Sequence, residues 1–315
     1  MRMMLFALGL LAAGPALAAP PPVVADTPVT ASLVQQVLGD LGQVQVLLPK
    51  GASAHHHQMR ASDARALQEA ELLVWIGPGL TPWLERAASS VAGDVAQLRL
   101  LEVPGTHLRK YGAGHDGHAE GNHGDGHDHD HAPGGEPDPG HADVDPHAWL
   151  DPGNARIWVA AIADALAEAD PDNADAYRRN AAAAADGIDS LDRDLRARLQ
   201  PHARQGFVVF HDAYGYFTDH FGLTPAIAVM LGDATAPSAA RLNEIRARIV
   251  RSGAACAFPE QGSDPKLIEA AIEGSPVRIG QALSPEGRDL DAGPQLYGQV
   301  MTRMADAIAD CLEGA

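Results

Sequence analysis

The sequence predicts an α/β protein with two lobes of parallel β-sheet, joined by a single long, rigid helix. Strand-like apolar runs alternate with helical segments in both halves of the chain. The stretch 172–199, between the halves, is rich in alanine and charge and contains no proline. The 315 residues are enough for two domains of about 150 residues each. Two such lobes would enclose a cleft, and clefts between domains are the usual place for a ligand.

Residues 1–18 are predicted to be a cleaved signal peptide. Arg2 precedes an apolar run that is too short to span a bilayer, and Ala16-Leu17-Ala18 fits a signal-peptidase site. A membrane anchor is the alternative, but no later stretch reaches eighteen apolar residues. We therefore expect an exported, soluble chain, cleaved near Ala18, in a bacterial periplasm.

The first lobe is predicted over 19–171. The apolar run at 71–77 is bounded by Gly-Pro-Gly, which is typical of a buried parallel strand. Ser62 is expected to cap the second helix. Strands are expected at 22–26, at 43–49, at 71–77 and in AQLRLLEV, and helices over Ala31 to Leu38, in ASDARALQEA and in TPWLERAASS.

Residues 104–146 interrupt the alternation and are predicted to be a disordered insertion. They are rich in glycine, proline, histidine and aspartate and contain few large apolar side chains. Such a composition buries too little surface to offset the entropy of ordering. Residues 107–146 hold nine acidic and two basic side chains, within a chain of net charge −18. This charge excludes nucleic-acid partners and favours cations.

The helices between the lobes have clear start signals. Asp151-Pro152 places a capping residue before a first-turn proline, and the helix is expected to continue to Ala169. The linker helix over 172–199 would be about 40 Å long. The second lobe, 200–315, is expected to contain strands at 206–211, at 224–230, in ACAFPE and in PVRIGQAL, and helices from Ser238 to Arg251, in DPKLIEAAIEG and from Pro294 onward.

The two cysteines, Cys256 and Cys311, are expected to form one disulfide. In an exported protein this is the commonest state of two cysteines, and inert or metal-binding thiols are the alternative. The bond would tie a strand to the last helix.

Three isolated histidines are candidates for a metal site. His55 follows a predicted strand, His147 precedes a helix and His211 ends a strand. Ligands bind beyond the carboxyl ends of parallel strands, and three imidazoles suit a borderline ion such as zinc. Their positions alone also fit a simpler alternative, in which each is a surface histidine that forms hydrogen bonds.

Four segments are similar to those of a known family: PKGASAHHHQMRASD, DPHAWLDP, FHDAYGYF and FPEQGSDPKL. In this order they resemble the metal-binding receptors of bacterial ABC importers, a cluster of zinc and manganese receptors. The resemblance covers essentially the whole mature chain. The His-rich insertion points to the zinc branch, the ZnuA-like receptors. The family implies two α/β lobes bridged by a long helix, with the metal in the interlobe cleft.

The resemblance implies zinc(II) as the bound ion and His55, His147 and His211 as its ligands. Nitrogen at the third position favours zinc over manganese, which prefers a carboxylate. The fourth ligand is open, because Ser284 stands where the family often has an aspartate. We expect water there, with Glu260 close by as an orienting group or occasional ligand.

Other polar residues near these motifs have weaker assignments. Asp145 and Asp151 flank His147, and either could orient its ring, although Asp151 is equally suited to cap the helix. Asp212 could do the same for His211. His56 is a less favoured substitute for the fourth ligand. His202 and His220 are expected to have surface or core roles. The tryptophans are expected to be packing residues: Trp75, Trp83, Trp149 and Trp158.

The histidines of the insertion are expected to bind metal weakly. A flexible chain loses entropy when it encloses an ion, so it should hold several ions loosely. About 30 flexible residues span roughly 30 Å, enough to reach the cleft. The alternative is a solvated acidic loop without function. The auxiliary candidates are His115, His118, His123, His127, His129 and His131.

These inferences favour a receptor that captures zinc with high affinity in the periplasm and delivers it to an ABC import permease. The alternatives are a zinc buffer or chaperone, a manganese receptor, and a zinc hydrolase with Glu260 as general base. The sequence contains neither of the hydrolase motifs H-E-x-x-H and G-x-S-x-G. We therefore expect no enzymatic activity. A monomer is expected, with a second periplasmic zinc chaperone as a further candidate partner.

Overall fold

The structure, a computed structural model, describes residues 20–90, 95–111, 144–230 and 237–314. Its strands form two four-stranded sheets, one in each half of the chain, ordered β2-β1-β3-β4 and β6-β5-β7-β8. Every pairing between these strands is parallel. The predicted fold class is confirmed, and the two lobes share one strand order. The signal peptide, 1–18, lies outside the described residues.

Within residues 20–90 and 95–99, the structure describes four strands and three α-helices of the first lobe. Thr27 accepts a hydrogen bond from the Thr30 amide and starts the first helix three residues before the predicted Ala31. Ser62 does not cap the second helix, because that helix already begins at Ala61 and the Asp63 carboxylate binds the Arg60 amide. The elements are β1 (Val23–Ala25), α1 (Pro28–Leu38), β2 (Val44–Val46), α2 (Ala61–Glu69), β3 (Leu72–Trp75), α3 (Pro82–Ser90) and β4 (Ala96–Arg99).

Two helices follow the first sheet along the chain, α4 (Pro152–Ala169) and α5 (Ala174–Leu199), and the longer one, α5, connects the lobes. Asp151 caps α4 by accepting the Gly153 amide at 2.8 Å, and Pro152 occupies the first turn. The 26 residues of α5 give a rod of about 39 Å. This helix packs against α1 and α4 of the first half and against the C-terminal helix of the second.

The second lobe repeats the arrangement of the first. The strand predicted in PVRIGQAL is reduced to two residues at the edge of the sheet. The predicted disulfide is confirmed: Cys256 in a central strand is bonded to Cys311 in the last helix. The elements are β5 (Phe207–His211), α6 (Gly215–Phe221), β6 (Ile227–Met230), α7 (Ala239–Ser252), β7 (Cys256–Phe258), α8 (Lys266–Ile272), β8 (Arg278–Ile279) and α9 (Leu296–Glu313).

One continuous apolar core extends through both lobes. It includes Leu33 of α1, Tyr177 of α5 and Met304 of α9, each no more than 1% exposed. A large apolar interface between domains restricts their relative motion. The lobes therefore meet as a packed unit at the side of α5, which leaves the carboxyl ends of the strands to form the cleft.

The ends of the predicted insertion carry defined contacts. Lys110 pairs with Val144 in an isolated antiparallel bridge, and the Asp145 amide donates to the Arg109 carbonyl at 2.8 Å. Residues 112–143, with the six auxiliary histidines, lie outside the described residues. Among the helices that the structure describes, none is long and apolar enough to cross a membrane.

Candidate metal centre

Three histidines from the two lobes converge at the mouth of the cleft. His55 lies in the loop after β2, His147 directly precedes a single turn of 3₁₀-helix, and His211 is the last residue of β5. His147 Nε2 is 3.3 Å from His55 Nε2 and 3.4 Å from His211 Nε2. One ring nitrogen of each histidine lies within 4.8 Å of the other two.

These distances suit a tetrahedral metal ion. Two nitrogens, each 2.0–2.1 Å from zinc at a tetrahedral angle, are about 3.3 Å apart. Neutral imidazoles are good ligands for a borderline divalent cation, and hard cations such as manganese prefer oxygen. His147 and His211 are each 1% exposed, whereas His55 is half-buried. An ion would therefore enter past His55.

Asp145 orients His147. Its Oδ1 accepts the His147 backbone amide at 3.0 Å and lies 2.7 Å from the ring Nδ1. A ring that donates from Nδ1 presents the Nε2 lone pair to the cleft. Of the two aspartates that flank His147 in the sequence, Asp145 is therefore the orienting group.

The environment of Asp145 is strongly desolvated. Burial raises the pKa of Asp145 to about 7, although the His147 amide and the charge of Arg109 act in the opposite direction. Its second oxygen, Oδ2, has no hydrogen-bond partner among the described residues and lies 3.8 Å from Arg109 Nη1. The buried charge is thus compensated by hydrogen bonds to one oxygen and by a guanidinium near the other.

Glu260 plays the corresponding part for His211. Its Oε2 lies 2.5 Å from His211 Nδ1, and its side chain is buried. Glu260 follows β7, so it reaches His211 from the neighbouring strand. Of the two candidates named from the sequence, Glu260 rather than the adjacent Asp212 contacts the ring. Arg288 Nη2 lies 4.0 Å from Glu260 Oε1 and supplies a positive charge behind it.

The loop that carries His55 is held by contacts from both lobes. Trp83 Nε1 donates to the Ala54 carbonyl at 2.7 Å. The Ala54 amide donates to Glu286 Oε2, across the cleft, at 3.2 Å. Trp149 Nε1 donates to the Pro285 carbonyl at 2.9 Å in the same region. Two tryptophans that we expected only to pack therefore also fix the loops of the site.

Ser284, at the family's aspartate position, and the substitute candidate His56 both contact other groups. Ser284 Oγ accepts the Arg288 amide at 3.0 Å, and the exposed His56 lies 3.3 Å from Ser53 Oγ. Sequence reasoning missed Glu286, a buried carboxylate two residues after Ser284 that binds the Arg288 guanidinium at 2.9 Å. Its position in the sequence could have indicated it, because Glu286 is the acidic residue closest to the position where the family often has an aspartate.

His202 and His220, which we expected not to bind metal, lie away from the cluster of three histidines. His220 is hydrogen-bonded to Asp151 and Asp192, each at 2.7 Å, and His202 Nδ1 lies 2.8 Å from the Gln205 side chain. Asp151 also binds His107 Nδ1 at 2.9 Å. Asp151 therefore caps α4 and joins two peripheral histidines instead of orienting His147.

The fold and the histidine cluster together define a two-lobed α/β protein with a candidate metal centre in its cleft, the class formed by metal-binding receptors. A family model described as "ZnuA: Zinc-uptake complex component A periplasmic" matches residues 23–311, and the chain belongs to this family.

Similar proteins agree with this assignment. The chain is 53% identical to the high-affinity zinc uptake system protein ZnuA of Paracoccus denitrificans, with 96% of this chain and 94% of the relative covered. It is 33% identical to the protein of the same name from Brucella abortus, over 89% of this chain and 88% of the relative.

The fold is similar to the folds of solved proteins. The periplasmic zinc binding protein TroA from Treponema pallidum superposes with a TM-score of 0.77 at 23% identity, over 93% of this chain and 99% of that one. A crystal structure of ZnuA gives a TM-score of 0.74 at 24% identity, with the same coverage.

Proposed function

We propose that this protein captures zinc(II) with high affinity in the periplasm and delivers it to the permease of an ABC importer. The observation that carries the proposal is the convergence of three imidazole nitrogens at tetrahedral spacing in the interlobe cleft. The names of the relatives, which are zinc uptake system proteins, support the same cargo. A signal peptide cleaved near Ala18 and a monomeric state belong to the same proposal.

The proposed ligands are His55, His147 and His211. Because Glu260 and Ser284 are engaged with other groups, we propose water as the fourth ligand. Asp145 and Glu260 act on the ion only through the two rings that they orient. Zinc bound in this way links the first lobe, 19–171, to the second, 200–315, beside the helix over 172–199.

The His-rich segment is proposed to be an auxiliary, low-affinity zinc collector. Lys110 and Val144, at its two ends, pair close to Asp145 and therefore close to the cleft. Ions gathered by His115, His118, His123, His127, His129 and His131 would be released near the proposed site. A second periplasmic zinc chaperone would be able to supply ions at the same place.

The alternatives are less well supported. A manganese receptor would be expected to carry more oxygen ligands, and the convergent ligand atoms here are nitrogens. A hydrolase would need Glu260 as a general base beside the bound water, but that carboxylate faces His211 Nδ1. The relatives are named as uptake proteins, not as enzymes.

Zinc titrations on four proteins would test the proposal. They are the mature chain, a variant in which 112–143 is replaced by a short glycine-containing linker between the paired ends, His147→Ala, and His56→Ala as a control for a histidine of the same region. Competition with a chelator gives the affinity of the tight site, and equilibrium dialysis gives the total stoichiometry.

We expect one tight site in the mature chain and in the linker variant, with fewer weak sites in the latter. His147→Ala should weaken the tight site by more than about 100-fold, beyond the 10- to 100-fold typical of orienting groups. His56→Ala should bind as the unaltered chain does. Loss of tight binding in the linker variant would instead favour the zinc buffer, with the segment as its main store.

A further inference from the structure

Arg109 lies behind the carboxylate that orients His147. The Arg109 side chain is buried, and its Nη1 is 3.8 Å from Asp145 Oδ2. That oxygen is buried and has no hydrogen-bond partner among the described residues. A buried carboxylate oxygen without a donor is costly, so the nearby guanidinium stabilises the Asp145 side chain in its present position.

The same guanidinium crosses the cleft to the second lobe. Arg109 Nε donates to Asp219 Oδ2, on α6, at 2.8 Å. The Arg109 amide donates to Tyr216 Oη at 2.8 Å, and Tyr216 donates in turn to the Asp145 carbonyl at 2.9 Å. Helix α6 of the second lobe therefore holds both the residue behind His147 and the backbone beside it.

The contact with α6 depends on a glycine. A Cβ atom added at Gly215 would lie 2.1 Å from Arg109 Nη1, which is far closer than any allowed contact. The guanidinium therefore lies directly on the backbone at the start of α6. Any side chain at this position would push Arg109 away from both Asp145 and Asp219.

We propose that Arg109 is a positioning residue that couples closing of the cleft to the orientation of His147. When the lobes are together, Asp219 and Gly215 hold the guanidinium behind Asp145, and Asp145 holds the ring with Nε2 towards the ion. When α6 moves away, Arg109 loses its anchor and the ring loses its fixed orientation. Opening of the lobes would then also weaken the bond between His147 and zinc, and this would assist release of the ion. The inference deepens the proposed function and depends on His147 as a ligand.

Substitutions of the charged residues give the first test. Arg109→Gln should weaken zinc binding by about 10-fold, the lower end of the range for groups behind a metal ligand. It should also shift the visible absorption bands of the cobalt(II)-loaded protein, which report the geometry of the ligands. Arg109→Lys, which keeps the charge, should restore part of the affinity. Asp219→Asn should reduce the zinc affinity about threefold, because it removes one partly exposed ion pair. The loss should appear mainly as faster zinc dissociation.

Gly215→Ala gives a second test that changes no charge and removes no polar group. A purely structural role of this position predicts that the added methyl group lowers the melting temperature through its clash with Arg109 and leaves the zinc affinity of the folded protein unchanged. Our account predicts weaker zinc binding and the same cobalt(II) spectral shift as in Arg109→Gln. Arg156→Gln, which removes an exposed arginine paired with Asp189 on α5, is the control and should match the unaltered protein.

Circular dichroism and thermal melts would show that each variant is folded before titration. Folded Arg109→Gln and Gly215→Ala proteins with unaltered zinc affinity and cobalt(II) spectra would overturn the inference while leaving the receptor function intact. An affinity loss in Arg109→Gln without any spectral shift, not repaired by lysine, would also overturn it. Absence of a tight zinc site in the unaltered protein is a different result, which would contradict the proposed function itself.

Discussion

The two lobes orient their histidines by the same device, built in different ways. In the first lobe the orienting carboxylate, Asp145, stands two residues before its histidine and is fixed by that histidine's own amide. In the second lobe the orienting carboxylate, Glu260, comes from the next strand, 49 residues along the chain. Each carboxylate has an arginine behind it, Arg109 at 3.8 Å or Arg288 at 4.0 Å.

The difference shows how each proposed ligand depends on the fold. The His147 pair is encoded in one short segment, but Asp145 is also held by Arg109, whose anchors Asp219 and Gly215 lie in the second lobe. The His211 pair exists only when β5 and β7 are paired in register. We therefore expect the second lobe's ligand to depend more on the integrity of its sheet, and the first lobe's ligand to depend more on contacts across the cleft.

Zinc affinity should fall most when the second lobe loses its only proposed ligand, His211. His211→Ala should leave two imidazoles, both in the first lobe, and should reduce zinc affinity by more than about 100-fold, beyond the range for orienting groups. At free zinc 1,000-fold above the dissociation constant, the unaltered protein should gain about 4 kcal/mol of stability from the ion. Thermal melts with and without zinc should show that His211→Ala has lost most of this gain.

The disulfide should matter for stability more than for affinity. Cys256 and Cys311 close a loop with a sequence separation of 55 residues, and a native disulfide of this kind contributes about 2–4 kcal/mol. The double variant Cys256→Ala, Cys311→Ala should lose about this free energy in urea unfolding and keep its zinc affinity at low temperature. A large fall in affinity of the folded variant would show that the second lobe's site needs the bond directly.

The orienting carboxylates should have intermediate effects. Asp145→Asn and Glu260→Gln should each weaken zinc binding by about 10- to 100-fold, or about 1.4–2.7 kcal/mol, because each removes the acceptor that fixes a ring. The two losses should add in the double variant, because they act on different rings. Chelator competition measures all three proteins, and Asp212→Asn serves as the control beside His211.

The smallest effect concerns the pH dependence of the contact between the lobes at His220. Burial lowers the pKa of His220, but its hydrogen bonds to Asp151 and Asp192 outweigh burial and raise it above the ordinary value. Arg196, which contacts the same ring, is the positive neighbour, and His107 faces the ring from the far side of Asp151.

A raised pKa stabilises the fold below the unfolded value of about 6.5, and this contribution disappears as the pH rises through the folded value. His220→Gln should therefore destabilise the protein more at pH 6 than at pH 9. Urea unfolding at the two pH values measures the difference. Equal destabilisation at both would mean that the protonated ring contributes nothing.

Much of the fold and of the proposed site was predictable, for local reasons. Alternating apolar runs predicted the two sheets, Asp151-Pro152 predicted the start of α4, and two cysteines predicted the disulfide. The three histidines were predicted from strand-end positions and from family motifs. Asp145 was a candidate because it lies beside its partner in the chain.

The unpredicted features all depend on distant pairings. Glu260 was a candidate beside the site, but its pairing with His211 depends on strand register, and Glu286, which was not predicted, reaches the Ala54 amide across the cleft. Arg109 was included in a segment expected to be disordered, because that segment is rich in glycine, proline, histidine and aspartate and contains few large apolar side chains. Its order comes from Tyr216 and Asp219, more than 100 residues away, which no local pattern indicates.

The most direct test of the central claim is X-ray absorption at the zinc edge of the loaded protein with 112–143 replaced by the linker. Our account predicts three imidazole nitrogens at about 2.0–2.1 Å, with one light scatterer such as water as the fourth neighbour. The count should fall to two imidazoles in His211→Ala. A first shell dominated by carboxylate oxygens, or an imidazole count that His211→Ala does not change, would contradict it.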